Sequence, residues 1–507
     1  MSWSPLQLTA LAISGFIALQ SSYVHPDEHF QSLEVLAVRY LGVNGSLPWE
    51  FEPLNAARSF VPLLLNYGPL YFIILTIFKV RDSMTILGLV RLQNFLIYIA
   101  LCQLVFKRLS ETRGIDSKRT NFFIATSYLT CSFQSHSFSN SLETILLLLV
   151  LALYNELILD EKKRKVPACQ ASMILGFLIM LGVFNRITFP AFILLPSLAV
   201  FWYYYRSHKF HLVLLTFVSL ICCLIFVEID TVLYQSSKWV IAPLNNLLYN
   251  FDESNLQLHG LHPRYNHMLL NLPQIMGPAF LFLNPRSMNS FTRNLPLLSV
   301  LSGLLLLSAF KHQELRFLIP LAPQMFSCFD DQTFFQSTRS VHVKRLWLIF
   351  NLFLAIVMGI YHQGGILRVI SYFQRDDSPL GVHIWWKTYS PPTWMYMNKE
   401  LTTSTTLIEN DIESIDLLPF ETTKNHIVDL KGCDIELLNT TLHQFLRNGA
   451  NVNLIAPNSV KSRLEKLSQF MLVPAREEKA HLDLDHLDFG DFSTFAPGIT
   501  VYNVSLL

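Results

Sequence analysis

The sequence predicts an all-α polytopic membrane protein with a small C-terminal extramembrane α/β domain, and three observations carry that prediction. Aliphatic, aromatic and cysteine residues make up 51% of the 507 residues, and only 15% are charged. Soluble domains carry about 25% charge, so the polar surface is too small to cover a water-soluble globule. Long apolar runs recur through the first three quarters of the chain. Beyond residue 380 they stop, and short β-like runs alternate with helical patterns.

In chain order the apolar runs cover residues 6–19, 60–80, 86–106, 145–159, 171–184, 192–205, 212–227, 295–310, 317–329 and 346–360. A span needs about 20 residues, fewer when flanking residues snorkel, which gives roughly 9 to 12 transmembrane helices. The first run lacks a basic flank and a small-x-small cleavage site, so it reads as a retained helix. The expected membrane region is therefore 1–375, interrupted by a loop at 21–59 and a polar loop at 230–293. The extramembrane domain is expected over 380–507. Within it, 427–430 and 452–456 read as strands, 435–447 and 460–470 as helices, and Gly449 stands where the first of those helices would end.

Basic clusters at 107–119 and 162–165 read as cytoplasmic. That places 134–141 on the lumenal side, together with the opening loop if the chain starts in the cytosol. Two full crossings between 60 and 106 conflict with this by one, so one segment there is re-entrant, interfacial or not a span. The sequons at Asn44, Asn439 and Asn503 fit a lumenal first loop and tail. A net charge of +1 gives no footprint for nucleic acid. The seven cysteines are scattered without a Cys-x-x-Cys pair, which speaks against a disulfide framework or zinc site.

The polar residues that remain gather in a few tracts. His25-Pro26-Asp27-Glu28 follows the first apolar run directly. Pro26 fixes its own φ, biases His25 to an extended conformation and suits the first turn of a helix. Residues 27–38 carry an imperfect apolar stripe (Phe30, Leu33, Val35, Leu36, Val38), as expected of an amphipathic helix on the membrane surface. Two carboxylates at its N-terminus would be favoured in ionised form, and an ionised Asp27 could act as general base. Plain helix capping is the competing reading. A second tract, 307–320, places His312, Glu314 and Arg316 between two apolar runs. Arg316 offers a donor fork suited to phosphate, though a solvated turn would carry the same residues. A third, 259–267, holds His259, His262 and His267 with Arg264; Pro263 interrupts any helix that would align them on a metal. Arg91 and Arg186 stand inside apolar sequence, where a charge needs a partner or a ligand. Arg186 could instead snorkel.

Taken together, Tyr23-Val-His-Pro-Asp-Glu-His-Phe-Gln-Ser-Leu-Glu-Val35, Pro48-Trp-Glu-Phe51, Phe138-Ser-Asn140, Phe184-Asn-Arg-Ile-Thr-Phe189, Pro243-Leu-Asn245, the histidine tract, 307–320 and His362-Gln-Gly-Gly365 resemble the dolichol-phosphate-mannose-dependent α-mannosyltransferases of the endoplasmic reticulum, which have the GT-C membrane fold. The resemblance is ordered from residue 23 to 365. It implies a multi-pass enzyme with a lumenal site, whose partners are the lipid bilayer, dolichyl-phosphate-mannose and the glycosylphosphatidylinositol (GPI) precursor glycolipid, with no nucleic acid. The implied reaction adds an α1,2-linked mannose to the third mannose of that precursor with inversion. A related acceptor in the same family, a non-catalytic scaffold and a transporter are the alternatives. Asp27 and Glu28 are the implied catalytic residues. His25, Gln31, Glu34, Arg186, His259, His262, Arg264, His267, His312, Glu314, Arg316, His362 and Gln363 are the implied substrate-binding residues. No metal or cofactor is expected.

Overall fold

Helices form where the apolar runs stand. The computed structural model describes residues 3–251, 255, 260–282, 294–329, 338–375, 380–409, 412–419 and 421–507. Among these, five helices are long and apolar enough to cross a membrane: Ser83–Arg113, Ser139–Ile158, Ala168–Asn185, Lys209–Leu233 and Val341–Tyr361. Shorter apolar helical segments are Pro5–Ala18, Val61–Ile77, Pro190–Tyr205, Leu295–Leu307 and Gly364–Phe373. Phe210, Phe217, Leu220 and Leu224 of Lys209–Leu233 are each more than half exposed. A face that apolar, on a helix long enough to span, is what a lipid-facing helix presents to hydrocarbon.

Of the two segments in conflict over sidedness, Ser83–Arg113 has 31 residues, whereas Val61–Ile77 falls among the shorter helices. The run at 317–329 departs from expectation. It forms a tight helical turn, Leu315–Leu321, followed by the six-residue helix Ala322–Ser327. Pro320 and Pro323 lack the N–H that would continue one hydrogen-bond ladder through the segment.

Two compact units share the chain. One comprises Met1–Ala18, Pro48–Pro69 and Arg91–Phe353; the other comprises Leu19–Leu47, Leu70–Val90 and Leu354–Leu507. The acid tract thus belongs to the unit that contains the C-terminal residues.

The second unit contains a seven-stranded sheet of β1 (Val382–Trp385), β2 (Leu401–Glu409), β3 (Ile412–Ile415), β4 (Asn425–Asp429), β5 (Val452–Pro457), β6 (Phe470–Glu478) and β7 (Ile499–Leu506), in the order β3-β2-β4-β1-β5-β7-β6. The central pairs β2–β4, β4–β1 and β1–β5 are parallel, and the outer pairs are antiparallel. Parallel strands need a crossover; helix Ile435–Arg447 supplies one between β4 and β5, which flank β1. Its Leu438, Leu442 and Phe445 pack on Val428, Val452 and Leu454 in one apolar core. Gly449, at φ 72°, follows that helix as expected. The helix expected over 460–470 shrinks to Lys461–Leu464, because Leu464 and Leu467 reach the core in a single turn and Phe470 already begins β6.

Candidate active site

The acid tract starts a helix, as its Pro26 dictates. The Pro26 carbonyl accepts the N–H groups of His29 and Phe30, both at 3.0 Å. The chain continues through a wide π turn, His29–Leu33, into Glu34–Leu41, and ends at Gly42 with φ 62°. Such wide turns are rare and recur at functional sites. The helix is not the surface-lying amphipathic one expected. Glu28, His29, Leu33, Glu34, Val35 and Leu36 are all buried. The apolar stripe was imperfect because the polar residues between its members are covered as well.

The two carboxylates therefore differ. Glu28 is fully buried, whereas the Asp27 side chain keeps 19% exposure. His25 Nδ1 accepts the Asp27 N–H at 3.2 Å and lies 3.4 Å from Asp27 Oδ1. On the next residue, His29 Nε2 is 3.9 Å from Glu28 Oε2, and His29 Nδ1 faces Trp394 Nε1 at 3.2 Å. Tyr23 meets the His29 ring edge-on at 4.9 Å and the Tyr389 ring at 5.5 Å. Gln31 is half-buried on the same helix.

Glu34 turns inward. Its Oε1 accepts the Thr393 hydroxyl, the Trp394 N–H at 2.9 Å and the Ser46 N–H at 3.0 Å. Burial pushes its carboxyl group up to about 8, only partly offset by these hydrogen bonds. It clasps the 393–394 segment to the acid helix.

His362 and Gln363 belong to the same unit. The His362 carbonyl accepts the Tyr23 N–H at 3.0 Å, and its Nε2 lies 3.4 Å from the Tyr389 hydroxyl. Burial holds the His362 imidazole below its ordinary value. Gln363 adopts a left-handed φ of 49°. Its N–H donates to Leu482 and its side-chain amide to Asp483 Oδ1, at 3.1 and 3.3 Å. Asp483 also accepts from Ser459 and from His486, each at 2.8 Å. Burial would raise the Asp483 carboxyl, but the contacts with His486, Ser459 and His481 together outweigh it and the group lies below its ordinary value. The glycines that follow are required by close approach. A Cβ on Gly364 would stand 2.9 Å from the Ala480 carbonyl oxygen, and one on Gly365 2.3 Å from Ile499 Cγ2.

The other unit brings the basic tracts together. At the end of helix Ala168–Asn185, Arg186 donates to Ser139 Oγ at 2.9 Å and lies 3.6 Å from Glu143. Thr188 donates to the same carboxylate at 3.2 Å. Arg58 donates to Glu50 at 3.0 Å and to the Asn185 carbonyl at 3.3 Å. The guanidinium groups of Arg186 and Arg316 both lie over the Phe317 ring, at 5.1 and 5.5 Å from its centre. Arg316 forks onto Glu314, whose Oε1 also lies 2.8 Å from His312 Nε2. His312 Nδ1 is 3.0 Å from the Gly260 carbonyl. Both of its ring nitrogens thus face acceptors, which is the pattern of an imidazolium. Burial pulls its pKa down, but the Glu314 and Gly260 hydrogen bonds win and hold it above the ordinary value.

The histidine tract and 307–320 are laced together by Gln313. Its Oε1 accepts the His267 N–H at 2.8 Å, and its amide donates to the carbonyls of Arg264, Ser308 and Phe310. His262 Nδ1 accepts the Gln313 N–H at 3.4 Å. His267 Nε2 lies 3.3 Å from the Glu314 carbonyl, and burial holds that imidazole down at about 4. The Arg264 side chain is exposed. His259 lies outside the described residues. Arg91 is fully buried on Ser83–Arg113.

Several residues in these clusters escaped sequence reasoning. Glu143 had a legible signal: it is a carboxylate in the apolar helix Ser139–Ile158, just after Phe138-Ser-Asn140. Tyr23 and His29 stood inside the tract already singled out. Trp394 and Thr393 gave none, because their roles depend on contacts some 360 residues away along the chain, and Asp483 gave none because its partners Gln363, Ser459 and His486 meet it only in the fold.

Comparison with known proteins agrees with this architecture. The chain is similar to GPI mannosyltransferase 4 of Saccharomyces cerevisiae, with 46% identity over 510 residues and 98% of each chain covered. It is 45% identical over 501 residues to the protein of the same name from Candida glabrata, again with 98% of each covered. Among solved structures it is similar to ArnT from Cupriavidus metallidurans bound to undecaprenyl phosphate, with a TM-score of 0.55, 9% identity, and 98% of this chain and 97% of that one covered. That likeness concerns the fold alone and bears out the GT-C-like expectation. The Alg9-like mannosyltransferase family model matches residues 6–398, and the chain, a multi-pass membrane glycosyltransferase, belongs to the Alg9-like mannosyltransferase family.

Proposed function

We propose that the protein transfers mannose from dolichyl-phosphate-mannose to the third mannose of the GPI precursor, forming an α1,2 linkage at the lumenal face of the endoplasmic reticulum membrane. The observation that carries this reading is 46% identity over 98% of the chain to a relative named GPI mannosyltransferase 4.

The reaction is a single displacement. The acceptor hydroxyl oxygen attacks the anomeric carbon, the bond from that carbon to the phosphate oxygen breaks, and dolichyl phosphate departs with the electron pair. The β-linked donor thereby gives an α-linked product. The hydroxyl proton passes to Asp27, the carboxylate of the pair that retains exposure; a positioned base of this kind contributes about 10²–10⁴-fold. Glu28, enclosed beside it, orients or assists. Charge on the departing phosphate calls for fixed cationic or hydrogen-bond donors. Fixed donors stabilise developing charge without reorganising during the step. Phosphate is already a competent leaving group, so the step as written calls for no metal cofactor.

The test is mannose transfer to a three-mannose GPI precursor in membranes lacking the endogenous enzyme, comparing wild type with Asp27→Asn at matched expression. Activity lost by about 10²-fold or more in a normally folded variant supports the assignment. Equal activity in both moves the base elsewhere. Wild-type transfer only to a two-mannose precursor would make the chain a sibling enzyme of different acceptor.

A further inference from the structure

We propose that His29 and Trp394 are positioning residues for Glu28, so that the start of the C-terminal region forms part of the catalytic apparatus. The proposal rests on the reading of Asp27 and Glu28 as the reacting pair. Indole Nε1 carries a hydrogen and no lone pair in the ring plane, so it only donates. At 3.2 Å from His29 Nδ1, it makes that nitrogen the acceptor, and the ring proton sits on Nε2. Nε2 is the atom that faces Glu28 Oε2 at 3.9 Å. One tautomer of His29 is thereby selected, and its Nε2–H lies beside the buried carboxyl group, too far for a direct hydrogen bond but near enough for its dipole to act on that group.

The selecting residue is itself held. Trp394 is fully buried and stacks on His29 with ring centres 6.2 Å apart. Its backbone N–H is fixed by Glu34 Oε1 at 2.9 Å. Glu34 stands five residues beyond His29, one turn of the wide π segment, whose Glu34 N–H donates to the His29 carbonyl. The acid helix therefore anchors Trp394 at one point and receives a directed hydrogen bond from it at another. Tyr23 closes the third side of the imidazole edge-on. The other tautomer would put the proton on Nδ1 against the indole N–H and strand that donor, at a cost of about 1–3 kcal/mol.

Trp394→Phe keeps an aromatic ring at the site but removes the donor together with part of the buried volume, and His29→Gln removes the imidazole. In the transfer assay each variant lowers kcat by about 10- to 100-fold, the range found when a group that orients an active residue is lost, and leaves KM for the lipid donor near wild type. The double variant is no slower than the slower single one, because both changes cut the same path. Multiplying losses, or wild-type kcat in either single variant with transfer intact in wild type, would overturn the proposal and leave the proposed function standing. If Trp394→Phe does not fold, His29→Gln alone decides by the same kcat criterion. A readout independent of turnover is ¹⁵N solid-state NMR of the full chain in bilayers, with His29 assigned by difference against His29→Gln. The expected signal has its proton on Nε2, and a proton on Nδ1 in the wild-type protein refutes the inference even if the substrate has been misidentified.

Discussion

Glu34 offers the sharpest stability test, because its three hydrogen bonds can be removed or kept by choice of substitution. Glu34→Ala deletes the acceptor of the Thr393 hydroxyl and of the Trp394 and Ser46 N–H groups. The Ser46 N–H keeps a second partner, Thr393 Oγ1 at 2.9 Å, so two buried donors are stranded. At about 1–3 kcal/mol for each unsatisfied buried group, the expected loss is about 2–6 kcal/mol. Glu34→Gln retains the carbonyl at Oε1 and should cost less than about 1 kcal/mol.

The same carboxyl group makes stability depend on pH, and the sign is fixed. Its folded pKa is raised from the ordinary 4.5 to about 8. Between those values the folded state holds a proton that the unfolded state has lost. The contribution is fully present below the unfolded pKa and is lost as pH rises through about 8, on the order of 5 kcal/mol across the window. Thermal unfolding of the purified protein in detergent, from about pH 5 to about pH 9, reads both effects. The expected order is wild type and Gln above Ala near neutrality, with the wild type alone losing stability on the alkaline side relative to Gln. Equal midpoints for Ala and Gln would refute the clasp. Parallel pH curves for wild type and Gln would refute the buried, protonated carboxyl.

Two further predictions follow from packing and pairing. Gly365→Ala places a methyl group 2.3 Å from Ile499 Cγ2 and 3.0 Å from His481 Cβ, so overpacking should lower stability by about 1–3 kcal/mol in the same unfolding assay. Arg186→Met leaves the fully buried Glu143 without its guanidinium partner and should cost about 3–5 kcal/mol. Adding Glu143→Leu to that variant should recover most of the loss, and no recovery would show that the pair is not the source.

What the sequence revealed depended on how local the cause was. Helix Ile435–Arg447 was legible to its ends because its periodicity and Gly449 are properties of adjacent residues. The start of a helix at Pro26-Asp27 was legible for the same reason. The surface position expected for that helix was not correct, and the cause is non-local. Glu34 and His29 look solvent-seeking until Thr393 and Trp394, some 360 residues later, provide the donors that Glu34 Oε1 and His29 Nδ1 accept. The break at 317–329 stands between these cases. Pro320 and Pro323 were visible in the run, but composition outweighed them when the segment was counted as a span. The clustering of Arg186 with Arg316 shows the general limit. Each guanidinium announced a need for a partner, yet the shared Phe317 ring and the carboxylates Glu143 and Glu314 became evident only in three dimensions. A charge in an apolar stretch identifies where a partner is needed, and the fold determines which opposite charge meets it.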